Sequence, residues 1–150
     1  MRYTLLFSIL LLLFMSCNKD KFSSTPSLKF TSVNTTQLHN QQLIQFTLSF
    51  TDSEGDILNN DSALYIQQVV PDCLASNTDS YYPLPDFPTT KNQKGDIIVT
   101  FSYNSVVGYT SLLTPQCQKN DTAVFRFALR DQAKHVSDTV SSPPIILYYP

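Results

Sequence analysis

The chain has 150 residues, of which 42% are apolar, 12% aromatic and 15% charged, and its 10 basic against 12 acidic side chains leave a net charge of −2. Charge is scarce beside the roughly 25% of an ordinary soluble domain. The balance lacks the basic footprint that nucleic-acid binding requires, so no nucleic-acid partner is expected. One domain with its own core is the expectation at this length.

Arg2 is followed by an apolar stretch from Leu5 to Met15, broken only by Ser8. That run of about eleven residues is too short to cross a bilayer as a helix, which takes about 20. A positive start, a short apolar run and a small residue at its end describe a signal peptide over residues 1–16. The run closes Phe14-Met15-Ser16-Cys17, and Asn18, Lys19, Asp20 and Lys21 follow. This pattern resembles the lipobox of bacterial lipoproteins, especially those of the Bacteroidota. The resemblance implies that Cys17 becomes the first residue, carries acyl chains such as palmitate, and anchors the protein to the outer membrane. Whether it faces the periplasm or the cell surface stays open. Two or more chains make such anchoring stable where one is marginal. Residues 17–26, rich in Ser and Thr, read as the lipidated cysteine and a flexible tether.

Removing Cys17 leaves Cys73 and Cys117. An even pair in an exported chain favours a disulfide, with two free buried thiols as the alternative. The chain has no CxxC and only two histidines, which argues against metal binding by this pair. His39, in a polar stretch beside Asn40, reads as an exposed turn residue.

Beyond the tether the apolar pattern has period two almost throughout. A weak opener lies at Leu28, Phe30 and Val33. Ile44, Phe46, Leu48 and Phe50 form the next run, stopping at Asp52. Leu64 and Ile66 lead a run to Val70, closed by Pro71. Ile97, Val99, Phe101 and Tyr103 follow, then Phe125, Phe127 and Leu129, and finally Ile145, Leu147 and Tyr149. No segment has sustained helical spacing with caps. The expected fold is all-β, an immunoglobulin-like sandwich of two antiparallel sheets over residues 27–150. Pro143 and Pro144 predict that the last strand is an edge or carries a bulge. The long connections 71–94 and 105–120 are expected to be functional or to hide short strands. In immunoglobulin-like order the Leu64 run is strand C and the Phe125 run strand F. These are antiparallel neighbours, which brings Cys73 and Cys117 to the same end.

Asp52-Ser53-Glu54-Gly55-Asp56 is the chain's one carboxylate cluster and holds its sole glutamate. Gly55 allows a sharp turn, so that alternate carboxylates can face one point. Asp131 ends the Phe125 run, and in a sandwich of this kind the loops after strands B and F lie side by side. Asp52, Glu54, Asp56 and Asp131 are therefore the candidate ligands of a hard cation, Ca2+, which wants six to eight oxygens. The alternative is a purely structural turn in which Asp caps backbone N–H groups.

Phe50-Thr51-Asp52-Ser53-Glu54-Gly55-Asp56-Ile57 resembles the F-x-D-x-[DE]-G-D-I segment of immunoglobulin-like, cadherin-like domains in small Bacteroidota lipoproteins. Leu129-Arg130-Asp131-Gln132-Ala133 and Ser137-Asp138-Thr139 resemble a later segment of the same domains, V-x-D-R-A-G-N-x-S-N-T. Gln132 replaces the usual Arg, and Lys134 and His135 stand where Gly and Asn are expected. The resemblance implies calcium binding between strands and brings no catalytic activity with it.

No nucleophile elbow, phosphate-cradling loop or His-Glu-x-x-His occurs, and an enzyme is not expected. The function expected is a lipid-anchored envelope binding or scaffold module. Its working surface would be the loop end of residues 52–61 and 132–138, held away from the membrane by an anchor at the opposite terminus. The alternative is an accessory subunit of an envelope transport or glycan-uptake complex. That subunit would recognise ligand through Tyr81, Tyr82, Phe87 and Tyr109. A weaker alternative is a carboxylate hydrolase using Glu54 with Asp56 or Asp131. The partner is an unknown envelope protein or glycan.

Overall fold

The computed structural model describes residues 23–57, 63–85, 90–109, 111–113 and 116–150, with backbone alone at 111–113. The leader, Cys17, most of the tether, Asp61 and Phe87 lie outside the described residues.

The described strands are β1 (Ser27–Val33), β2 (Gln37–Leu38), β3 (Leu43–Asp52), β4 (Leu64–Val69), β5 (Thr78–Tyr82) and β6 (Gln93–Tyr103). After them come β7 (Ser111–Leu113), β8 (Asp121–Leu129), β9 (Val140–Ser141) and β10 (Ile145–Leu147). They form two sheets, ordered β1-β3-β6-β7 and β2-β10-β8-β4-β5, with β9 beside β8. The fold is all-β, as the period-two pattern predicts.

Alternation makes the core. In β3 the burial pattern follows Ile44, Phe46, Leu48 and Phe50, while their neighbours stay more exposed. Phe46 meets Phe125 and Phe127 of the facing sheet at ring-centroid distances of 4.8 and 5.2 Å. Each such ring, fully buried, contributes about 1.5–3 kcal/mol of transfer free energy. Every strand and core side chain among the described residues lies between Ser27 and Leu147, so this stretch holds a complete core of its own.

Strands β4 and β8 are antiparallel neighbours, registered from Leu64 opposite Leu129 to Val69 opposite Val124. The end of β4 thus lies beside the start of β8, and Cys73 and Cys117 form a disulfide with Cα atoms 6.0 Å apart. A bridge across 44 residues removes chain entropy equivalent to about 4 kcal/mol from the unfolded state.

The sheets are not wholly antiparallel, for β10 pairs β2 and β6 pairs β7 in parallel. β2 follows β1 after only three residues and changes sheet without reversing, so it meets β10 running the same way. The last strand is no edge either, since β10 lies between β2 and β8. Pro143 and Pro144 precede it and so remove no ladder donor. The two long connections do hide strands, β5 in one and β7 in the other, and β6 starts at Gln93 rather than Ile97.

Residues 23–26, which the sequence places in a flexible tether, are held against the sandwich. The Ser53 N–H donates to the Ser23 carbonyl at 3.2 Å, and Pro26 is already buried. Ser27 pairs with Thr51 at the end of β3. The chain therefore joins the sandwich beside the acidic turn, and not at the opposite end from it.

Candidate functional site

The acidic turn is built by its own residues. Asp52, the last residue of β3, is fully buried, and its Oδ2 accepts the N–H groups of Gly55 at 2.7 Å and Asp56 at 3.1 Å. Gly55 has φ +71°, and a Cβ there would lie 2.0 Å from the Thr90 carbonyl oxygen. Only glycine fits this position. Ile57 then drops into the core, fully buried. Ser53 joins two further segments to the turn, its N–H donating to the Ser23 carbonyl and its carbonyl accepting the Asn92 N–H at 2.9 Å.

Asp131, one residue past the Arg130–Val136 bridge that extends β8, is likewise fully buried. Its Oδ1 accepts the His135 N–H at 2.7 Å, and its Oδ2 pairs with His135 Nδ1 at 2.8 Å. The Gln132 N–H donates to the Asp56 carbonyl at 3.1 Å, stitching the two turns together. The loops after β3 and β8 are side by side, as the strand order anticipates.

All four candidate carboxylates thus share one end of the sandwich. Their mutual field shows at Asp56, whose carboxyl is raised above its ordinary value. Burial is the largest cause, followed by the charges of Asp131 and Asp52, and Glu54 adds least. Two of the oxygens are buried without a hydrogen-bond partner, Asp52 Oδ1 and Asp56 Oδ1. The other oxygen of Asp52 and both of Asp131 hold the turns, so capping and ion binding draw on the same side chains.

The sequence did not single out His135 as part of this group. Glu54, Asp131 and His135 each offer a ligand atom, all within 4.8 Å of one another. The imidazole pKa is raised, first by the hydrogen bond to Asp131 and then by its charge. The available signal was the departure of Lys134-His135 from the Gly-Asn of the resembling domains. Lys134 has φ +73°, the left-handed conformation a glycine takes without strain.

Among the described residues of the aromatic set, Tyr81, Tyr82 and Tyr109 do not share one face. Tyr81 and Tyr82 point to opposite faces of β5, as neighbours on a strand must. Tyr82 packs against Phe101 at 5.8 Å on the core side. Tyr81 meets Tyr65 at 5.1 Å on the outer face, where the Arg130 guanidinium lies 4.6 Å from its ring. Tyr109 follows the far end of β6. His39 is exposed as expected and stacks on Tyr148 at 4.3 Å.

No family model and no curated protein matches the sequence. Among solved structures, the sporulation control protein Spo0M from Bacillus subtilis is similar at 13% identity and a TM-score of 0.44. The likeness covers 85% of this chain and 51% of that one, so the chain spans about half the length of Spo0M. A Niemann-Pick type C2 protein from the Japanese carpenter ant is similar at 12% identity and a TM-score of 0.43, over 85% of this chain and 97% of that one. Neither likeness carries a functional argument.

Proposed function

We propose that the protein is a non-catalytic, immunoglobulin-like binding or scaffold module, lipid-anchored through Cys17 to the outer membrane, with Ca2+ ordering its acidic loop end. The observation that carries the ion is the pair of buried, unpartnered oxygens, Asp52 Oδ1 and Asp56 Oδ1, in a group of four carboxylates. A hard cation beside Asp56 would relieve the repulsion that raises it, and Glu54 and Asp131, whose ligand atoms lie within 4.8 Å of each other and of His135, would be further donors.

The place of this site alters its role. Six residue steps separate Cys17 from Ser23, a reach of at most about 20 Å. The acidic end then faces the membrane, and the loops around the disulfide and Tyr109 point away from it. Ca2+ here would stiffen the joint at Ser53 between the anchored segment and the sandwich. The partner surface would be the distal end or the flanks. One observation favours the alternative of a glycan-uptake accessory: the Tyr65–Tyr81–Arg130 stack, an outward-facing surface on which a sugar ring can lie.

Calorimetric titration of Ca2+ into the chelator-treated protein tests the ion. The reading expects saturable heat and a raised melting temperature, both lost in Asp56→Asn. Absence of both in the wild-type protein, or binding of Zn2+ alone through His135, would contradict it. A pull-down from envelope membranes with and without chelator then identifies the partner.

A further inference from the structure

Behind the acidic end, a gap opens between the two sheets. A cavity of about 400 Å3 is walled by Phe50, Val99 and Phe101 from one sheet and by Leu64, Ile66 and Tyr82 from the other. Protein interiors are close-packed, with few voids larger than a water molecule, so ordinary core packing does not account for this space. Small-molecule sites are apolar concavities of roughly 300–1,000 Å3 with a few polar groups, and this cavity falls in that range.

Its mouth follows from the topology. Strand β6 pairs with β3 from Gln93 to Ser102, but with β7 only at Ser102 and Tyr103. Among the described residues, no strand covers its other edge from Gln93 to Phe101. The cavity reaches that open edge, which lines it from Asp96 to Phe101, with the Asp96 and Thr100 side chains on the outer face of the sheet. Opposite this edge, Pro83, Leu84 and Pro85 leave β5 as a stiff rim, with Leu84 partly buried against the core. Burial keeps the Tyr82 phenol neutral by raising its pKa, so its hydroxyl can donate or accept on the inner wall.

Size and chemistry limit the occupant. An apolar cavity of about 150 Å3 holds one benzene ring, so this one takes on the order of sixteen heavy atoms. The side chains that face inward are aliphatic and aromatic, the open edge of β6 adds backbone polar groups, and no cation lines the mouth among the described residues. An anionic head would lose its hydration with no cation to meet it among the described lining residues, whereas a hydroxyl head would find the backbone N–H and C=O groups of the uncovered β6 edge as partners. We propose that this inter-sheet cavity binds a single aliphatic molecule of that size carrying an uncharged, hydrogen-bonding head. This site is independent of the acidic loop end and of any ion bound there.

The probes are dodecanol and dodecanoate, below their aggregation limits, titrated at about pH 7 into the chain from Ser23 to Pro150, which contains the whole core. Dodecanol should bind saturably at one site and raise the melting temperature, with dodecanoate weaker by about tenfold or more. Val99→Phe fills the cavity from within and Leu84→Trp closes its rim, and each should weaken dodecanol by about tenfold or more. Leu84→Trp lies at the surface and keeps the test valid if Val99→Phe fails to fold. Absence of saturable dodecanol binding, binding that survives Leu84→Trp, or dodecanoate equal to dodecanol would each overturn the proposal. A result with chelator equal to that with Ca2+ is expected, which separates this site from the acidic one.

Discussion

Gly55→Ala is the sharpest perturbation of the acidic end. At φ +71° an L-residue costs about 1–2 kcal/mol. The new methyl would also sit 2.0 Å from the Thr90 carbonyl oxygen and 2.7 Å from its carbon. Both are backbone atoms, so no rotamer change relieves the collision. Moving Thr90 pulls on the Asn92 N–H to Ser53 bond, and moving Gly55 pulls its N–H from Asp52 Oδ2. Each lost hydrogen bond costs about 1 kcal/mol, and a buried partner left unpaired costs more. The sum is about 3–4 kcal/mol, equivalent to a fall on the order of 10 °C in melting temperature for a domain of this size. Gly108→Ala isolates the conformational part, because Gly108 has φ +86° with nothing within 4 Å of a Cβ. It should cost only about 1 kcal/mol. Lys134→Gly relieves the same conformation and should gain about 1 kcal/mol. Far-UV circular dichroism melts in chelator measure all three. If Gly55→Ala melts no lower than Gly108→Ala, the close approach of Thr90 to the turn is wrong.

Three further outcomes are expected. Asp56 binds its proton more tightly in the folded state, so stability falls as pH rises from the ordinary carboxylate value through the raised one. Asp56→Asn should therefore melt higher than wild type near neutral pH without calcium, and the gain should vanish near about pH 3. His135 is raised by Asp131, so its contribution is fully present below about pH 6.5 and is lost as pH rises through the higher folded value. His135→Ala should accordingly lower the melting temperature more at pH 5 than at pH 9, by a small amount because the imidazole is exposed. Reducing the Cys73–Cys117 bridge, or replacing both residues with Ala, should cost about 2–4 kcal/mol in urea unfolding with the strands retained.

The longer strands were legible because one face of each is buried, and burial writes period two into the sequence. Ile44 to Phe50 and Phe125 to Leu129 are examples. The disulfide followed from the same pattern, since strand order put Cys73 and Cys117 at one end. What escaped were strands too short to show a period, such as β2 and β9, and β5, whose residues are mostly exposed. Parallel pairing of β10 with β2 escaped too, because direction is set by where the chain crosses between sheets. At the candidate site, the convergence of the turns after β3 and β8 was readable from their order. The partnership of Asp131 with His135 was not, because it depends on the turn that Lys134 closes at positive φ. Nor was the position of the acidic end beside Ser23, which rests on the pairing of β1 with the end of β3 and the backbone hydrogen bond from Ser53.

Mass spectrometry of the N-terminal peptide, taken from protein extracted from its native membranes, tests the central claim of an envelope-anchored module most directly. The account predicts a peptide beginning at Cys17 whose mass carries acyl chains. An unmodified Cys17, still preceded by residues 1–16, would contradict it.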